Sequence, residues 1–419
     1  MRLGADRSFA VDAVNLNSFL AFGYFLDYRH PRYSVRFPPI DKGRYARASE
    51  HELIEEGVRL FKNAIHAQCR PGDRHLVPLS GGLDSRAILA ALLETTDAAN
   101  IYTYTFGTPG TLDYDIGCDL ARLFGTNHTS FDLTQHTFTN HEELEVSRRT
   151  GLQTILFHHQ PILEVERRFG GCVTWSGALI DVYFGRHTHL AKGSSLEEAK
   201  LNSYRENRFV KSTQLTNVPA EAFFPKTEYD AGTEATLVRE HCIDLMNRQL
   251  KFVAAHVLMS GFDYRVLFTD EDLVRFALNI DNRWLEFQYL YKKILLRAFP
   301  RYFTYPTKTT LGLPLDAGRL SLGLRKLQMK AGELLARLAS SKRVHPNTNY
   351  VEFGSAIRER PDLRSMISEQ VSDLDGRGVV DWVPCKALLE NHMSGKANHA
   401  DALIVLASLE LHLKNGKVL

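Results

Sequence analysis

The chain has 419 residues, of which 44% are hydrophobic and 24% charged, and its net charge is +2. That balance describes a globular protein with room for a large core, and it excludes a disordered chain and a strongly basic nucleic-acid binder. Five scattered cysteines, Cys69, Cys118, Cys172, Cys242 and Cys385, form no C-x-x-C pair. They argue against a disulfide framework or structural zinc site and fit a reducing compartment. The opening MRLGADRSFAVD lacks an uninterrupted apolar signal core, and apolar stretches such as Ala402 to Ala407 are far too short to span a membrane. A cytoplasmic location is expected.

In chain order, Leu53, Ile54, Val58, Leu60, Phe61 and Ile65 recur at helical spacing and predict a helix over residues 51–69. It leads into the apolar run Leu76-Val77-Pro78-Leu79, which reads as a strand. The hexapeptide Ser80-Gly81-Gly82-Leu83-Asp84-Ser85 follows, and then an apolar-periodic segment from Ala87 to Leu93. A strand-to-helix turn of this composition is a phosphate cradle. Gly81 and Gly82 admit an anion close to the backbone, Ser80 and Ser85 offer hydroxyls, and the helix start adds free amides and the positive dipole end. Asp84 has the wrong sign for such a site unless Mg²⁺ stands between, because carboxylate and phosphate oxygens are its usual ligands. No G-x-x-x-x-G-K-[ST] loop is present, so the Walker class loses support.

Strand and helix continue to alternate: a strand over 101–106, a helix from Asp115, and a strand over 129–133. The pattern predicts an α/β fold, a doubly wound parallel sheet with its ligand at the carboxyl ends of the strands. After residue 190 strand signals thin out. Residues 236–252, 284–299, 320–338 and 400–413 read as helices and predict a mainly helical C-terminal lobe. His345 to Asn349 and Asp373 to Gly378 read as loops, and no internal repeat is visible.

The hexapeptide Ser80 to Ser85 resembles the PP-loop of the ATP pyrophosphatases, and its wording is most similar to the synthetase domain of asparagine synthetases, with the β-lactam synthetases and lasso-peptide cyclases as relatives. Further segments resemble that domain in the same order. Thr105 to Gly110, Asp113, Ala121 to Thr126 and His128 resemble the strand, loop and helix that close over the adenosine. Trp175 to Gly185 resembles the family's SGEGADELFGG segment, Arg265 to Leu273 its R-x-P-F-L-D stretch, and Lys293 with Leu295, Leu296 and Arg297 its K-x-L-L-R helix. Pro306 to Gly312 is similar to its R-x-K-x-G-x loop. The resemblance runs over roughly residues 50–415.

The resemblance implies an AMP- and pyrophosphate-forming enzyme that uses ATP and Mg²⁺ to adenylate a carboxylate and passes it to ammonia or an amine. It places nucleotide contacts at Pro78, Leu79, Ser80, Gly81, Gly82, Asp84, Ser85, Phe106, Ser176 and Gly177, the Mg²⁺ carboxylates at Asp84 and Asp181, and the phosphate-facing lysine at Lys308. Catalytic roles are expected for Lys308, Asp84 and Asp181. It also implies a connector-like segment over 1–50, an ATP-binding synthetase domain over 51–320 and a helical part of the same unit over 321–419.

Two departures stand out. Ala178 and Val182 replace family glutamates, and the first of these helps handle the amino substrate in relatives, so the identity of the acceptor is left open. Met1-Arg2-Leu3 lacks the cysteine that glutamine-hydrolysing relatives carry after methionine, and about fifty residues before the synthetase pattern are too few for an amidohydrolase domain. Nitrogen is therefore expected from free ammonia, a substrate amine or a separate partner. The acid could be a small molecule or a peptide, and neither nucleic acid nor membrane is expected as a partner. The oligomeric state stays open.

Weaker signals surround this core. His158-His159, before Gln160-Pro161, fall where the family lines its active site and are candidates to contact the carboxylate substrate. A metal reading of these, or of His187-x-His189, lacks a third ligand. Arg186 reads as a pyrophosphate contact or a solvated residue, Arg86 as a phosphate contact or an outward-turned side chain, and Lys293 as a phosphate contact or part of a charged helix face. Two other functions compete with amide synthesis. A catalytically silent ATP-binding subunit is supported by Ala178 and opposed by the retained aspartates. A PP-loop enzyme adenylating a nucleic-acid base is opposed by the near-neutral charge.

Overall fold

A computed structural model describes residues 12–34, 38–70, 72–186, 192–233, 238–338 and 344–419. Helix α1 (Ala13–Phe22) is capped by the Asp12 carboxylate, and α2 (Glu50–His66) begins with a reciprocal Ser49–Glu52 capping box. Strand β1 (His75–Pro78) then leads into α3 (Asp84–Thr95), β2 (Ile101–Gly107), α4 (Leu112–Phe124) and β3 (Asn127–Asp132). Helices α5 (Asn140–Arg149) and α6 (Ile162–Phe169) precede β4 (Val173–Ser176), the single-turn α7 (Ile180–Tyr183) and, much later, β5 (Asp263–Val266).

The five strands form one parallel sheet in the order β3-β2-β1-β4-β5. The order reverses between β1 and β4. In sheets of this kind the crevice at that switch point receives the ligand, and here it lies between the loop after Pro78 and the loop after Ser176. Fifth strand β5 went unseen in the sequence because it is only four residues long and is mixed in polarity, with Asp263 exposed and only Val266 fully buried.

Both faces of the sheet are covered. Leu76 and Val77, neighbours on β1, point to opposite faces and enter two different apolar cores. The first core joins β1 and β4 to α2, α3 and the helix Tyr289–Ala298. The second joins Leu76 and Tyr104 to α1, α5, α6 and the C-terminal helices Pro361–Arg377 and Ala400–Lys414. The helical C-terminal part thus packs on the sheet itself.

Several boundaries differ from the sequence reading. Helix Pro361–Arg377 runs through the expected loop at 373–378 and stops only at Gly378, in the left-handed region at φ 73°. The helix expected over 284–299 is broken, because Phe287 and Gln288 take φ of 53° and 60° before Tyr289 restarts it. The segment expected to be helical from 236 is α-helical over Arg239–Asp244 and a wider π-helix over Leu245–Ala254. No helix among the described residues is long and apolar enough to cross a membrane.

Candidate nucleotide and substrate site

The loop after β1 is held as a rigid cradle. The Leu79 amide donates to the Tyr104 carbonyl at 2.7 Å, and its carbonyl accepts from the Thr105 hydroxyl at 2.8 Å, so both backbone groups of Leu79 are engaged within the sheet. Beyond it, the Ser80 amide donates to the Ser85 hydroxyl at 3.3 Å and the Gly82 amide to the Ser80 hydroxyl at 3.2 Å. Gly81 lacks a side chain for a steric reason: a Cβ there would sit 2.6 Å from the Leu112 carbonyl. No side chain caps the first turn of α3, which leaves its amide donors facing the crevice.

Asp84 opens that helix. Tyr291, wholly buried, donates its hydroxyl to Asp84 Oδ1 at 2.6 Å. Burial in the crevice pushes the Asp84 carboxyl well above the ordinary carboxylate range, and the Asp181 carboxylate, brought beside it across the switch point, adds to the shift. Gly177 makes this approach possible, since a Cβ there would stand 2.4 Å from Asp84 Cβ. Arg186 lies 4.0 Å from Asp181. Two carboxylates facing each other in this crevice, with the Asp84 carboxyl raised by burial and by Asp181, are a donor set that suits a hard divalent cation.

Lys308 reaches the same place from far along the chain. Its amide donates to the Gly81 carbonyl at 2.8 Å, and its ammonium is hydrogen-bonded to the Asp113 carboxylate and the Asn349 side chain. Gly82, Asp84, Lys292 and Lys308 together line a cleft of about 460 Å³. A second cavity of about 160 Å³ lies beside it and is lined by Pro78, Ser85, Phe106, Ser176 and Gly177. Of the expected residues, Gly82, Asp84 and Lys308 thus line the cleft and Pro78, Ser85, Phe106, Ser176 and Gly177 the adjoining cavity; Ser80, Gly81 and Asp181 line neither, and Leu79 is packed in the core.

The expectations for Arg86 and His159 need correcting, and Lys293 takes the charged-face alternative of its two. Arg86 neither holds phosphate nor turns outward. It is fully buried, and its guanidinium donates to the carbonyls of Tyr302, Tyr305 and Pro306 at 3.2, 3.1 and 2.6 Å. The chain approaching Lys308 is hung on this side chain. Lys293 is exposed with its ammonium 5.6 Å from the Tyr289 ring centre, and its neighbour Lys292 is the one that lines the cleft. His159 is closed off from substrate: its ring bonds Glu143 at 2.9 Å and the Gln160 carbonyl at 2.6 Å, and Glu143 holds its pKa up at about 9 despite burial.

His158 does face open space. It stacks on Tyr350, with ring centres 5.0 Å apart and planes 3° from parallel, and burial pushes its pKa down to about 3, so the ring is neutral. No group of three or more His, Cys, Asp or Glu arranged to hold a metal occurs among the described residues. His187 and His189 lie outside them. Tyr291, Lys292 and Asn349 were missed by sequence reasoning. Tyr291 and Lys292 lie on the helix that was singled out for Lys293, two residues and one residue before it.

The comparison with known families bears on this loop directly. Residues 57–150 match the model of the asparagine synthase family. The asparagine synthase match begins within α2, contains the whole cradle from Ser80 to Ser85 together with Phe106 and Asp113, and ends just after α5. Asp181 and Lys308 lie beyond it. It supports an ATP-dependent, ligase-type family. No curated protein matches the chain.

Proposed function

We propose that the protein is an ATP-dependent amide synthetase that releases AMP and pyrophosphate. The observation that carries this reading is the convergence of Asp84 and Asp181 with Lys308 and Lys292 at the carboxyl ends of β1 and β4. Acid and base side chains from four distant segments have no structural reason to meet at a sheet's switch point unless a polyanion and a cation are handled there.

In the proposed reaction a carboxylate oxygen of the substrate attacks the α-phosphorus of ATP, the bond to the bridging oxygen breaks, and pyrophosphate leaves. An amine or ammonia then attacks the acyl carbon, and AMP and a proton depart. Asp84 and Asp181 would hold Mg²⁺, which when bound supplies charge neutralisation to the triphosphate. Tyr291 fixes the Asp84 carboxylate by donating to Oδ1. Lys308, kept against Gly81 by its own amide, would stabilise charge developing on the phosphates. The adenosine is assigned to the cavity lined by Phe106, Ser176 and Gly177.

The test is direct. The full chain is incubated with Mg-ATP and a panel of acids and amines while AMP and pyrophosphate are followed. Acid-dependent formation of both, abolished in Asp84→Asn and Lys308→Ala with folding intact, is expected. Equal release by these variants, or hydrolysis to ADP alone, overturns the reading.

A further inference from the structure

A third space, of about 800 Å³, opens beside the two already described. It shares His158, His256 and Tyr350 with the 160 Å³ cavity and Arg186 with the 460 Å³ cleft. A molecule in this chamber would face both the nucleoside and the phosphate spaces at once. Pockets of several hundred to a thousand Å³ accommodate ligands much larger than an amino acid. An aspartate-sized acid would leave most of the chamber to water.

The walls are flat and apolar at one end. Phe22, Phe209, Phe252 and Tyr350 contribute aromatic faces, His158 stacks on Tyr350, and His256 stacks on Phe252 with ring centres 6.0 Å apart. Burial pushes the His256 pKa down to about 4 and that of His158 to about 3, so neither ring brings a positive charge at neutral pH.

Besides Arg186, positive charge comes from Arg248, one helical turn before Phe252 and 6.0 Å from that ring's centre. The carboxylates of Glu206 and Asp244 line the same chamber as Arg248. Arg208, which also lines the chamber, donates to the carbonyls of Val210 and Thr213 at 3.1 and 3.3 Å and is spent on the fold. Asp244 lies wholly buried and accepts from the Gln249 amide at 2.8 Å.

We propose that the chamber takes a bulky carboxylic acid with an aromatic or similarly flat apolar body and a second anionic group that pairs with Arg248. The inference rests on the reading that the adjoining cleft adenylates a carboxylate. Stacking against Phe252 and Tyr350 supplies affinity, and the Arg248 guanidinium beside Phe252 supplies selection for the second anion. Small amino acids, with nothing to place against the aromatic wall, are the poor substrates.

Equilibrium binding of N-benzoyl-L-aspartate and of L-aspartate to the full chain, both in the presence of Mg²⁺ and a non-hydrolysable ATP analogue, tests this. The benzoylated acid is expected to bind at least tenfold more tightly. Arg248→Gln should remove most of that advantage, Arg248→Lys should restore part of it, and the affinity for the analogue, unchanged in both, reports that the fold is intact. Equal affinities, an advantage that survives Arg248→Gln, or no measurable binding of either acid overturns the proposal. Replacing the analogue with ATP separates the two readings: tight Arg248-dependent binding without AMP release upholds the chamber assignment and overturns adenylation.

Discussion

The Tyr291 hydroxyl and the Asp84 carboxylate, 207 positions apart in sequence, are joined by a 2.6 Å hydrogen bond inside the cleft. Tyr291 is packed against Phe184 and Phe61, so its ring is fixed and its hydroxyl has one direction to point. It acts as a positioning residue for Asp84. Tyr291→Phe keeps the ring packing and removes only the donor. The Mg²⁺ concentration needed for half-maximal AMP formation should rise about 10- to 100-fold, the usual effect of losing a partner that orients a metal ligand. A Mg²⁺ titration checks this, and an unchanged midpoint would count against the role.

Gly177→Ala should strike the same carboxylate from the other side. The added methyl would stand 2.4 Å from Asp84 Cβ, and neither partner is the far end of a flexible chain. Relief requires a backbone shift, at a cost of about 1–3 kcal/mol in stability. Turnover of ATP should fall more than tenfold because the shift separates Asp84 from its site. Urea denaturation alongside AMP formation measures both.

Arg86→Met should destabilise the protein although Arg86 does not itself line the cleft. It would leave the carbonyls of Tyr302, Tyr305 and Pro306 without their shared donor in a buried setting. Unsatisfied buried acceptors cost about 1–3 kcal/mol each, and partial relaxation makes ~3 kcal/mol in total a fair expectation. Lys308 follows these residues closely, so the activity that remains should show weakened nucleotide binding. A drop in the urea midpoint of less than a tenth would exclude this role for Arg86.

The pH dependence of stability has opposite signs at its two ends. His158, His256 and His412 have folded pKa values of about 3, 4 and 3, all depressed by burial below the ordinary 6.5. Between pH 6.5 and about 4 the unfolded chain therefore binds protons that the native state refuses, and stability falls as the pH falls. His159 behaves in the reverse sense. Its folded pKa, raised to about 9 by Glu143, gives stability that is complete below pH 6.5 and is lost as the pH climbs through 9. Urea midpoints at pH 5, 7 and 9.5 should show a maximum at the middle value, and His412→Asn should flatten the acid limb.

The loop after β1 was legible in the sequence because it is written locally. Ser80 to Ser85 carries its own backbone geometry, its own hydroxyls and the start of its own helix, all within six residues. Trp175 to Asp181 is similarly compact. The errors came where a side chain's fate depends on what packs over it. Arg86 looked like a phosphate ligand or a surface charge by its position in the first turn of α3, yet the three carbonyls that bury it come from a segment more than two hundred residues away. The choice between Lys292 and Lys293 turns on the rotation of one helix about its axis, and the left-handed pair Phe287 and Gln288 just before it resets that rotation.

The sequence by itself determined that this chain alternates strand and helix around a Ser-Gly-Gly turn, because apolar periodicity and turn composition act over a few residues at a time. Only the tertiary structure decided that Tyr291 holds Asp84, that Arg86 supports the approach to Lys308, and that a chamber of about 800 Å³ walled by Phe252 and Tyr350 adjoins the cleft. The reason is the same in each case. A hydrogen bond, a buried charge or a cavity is set by which distant segments come within a few ångströms of one another, and in this fold those meetings follow from the packing of helices on both faces of the sheet.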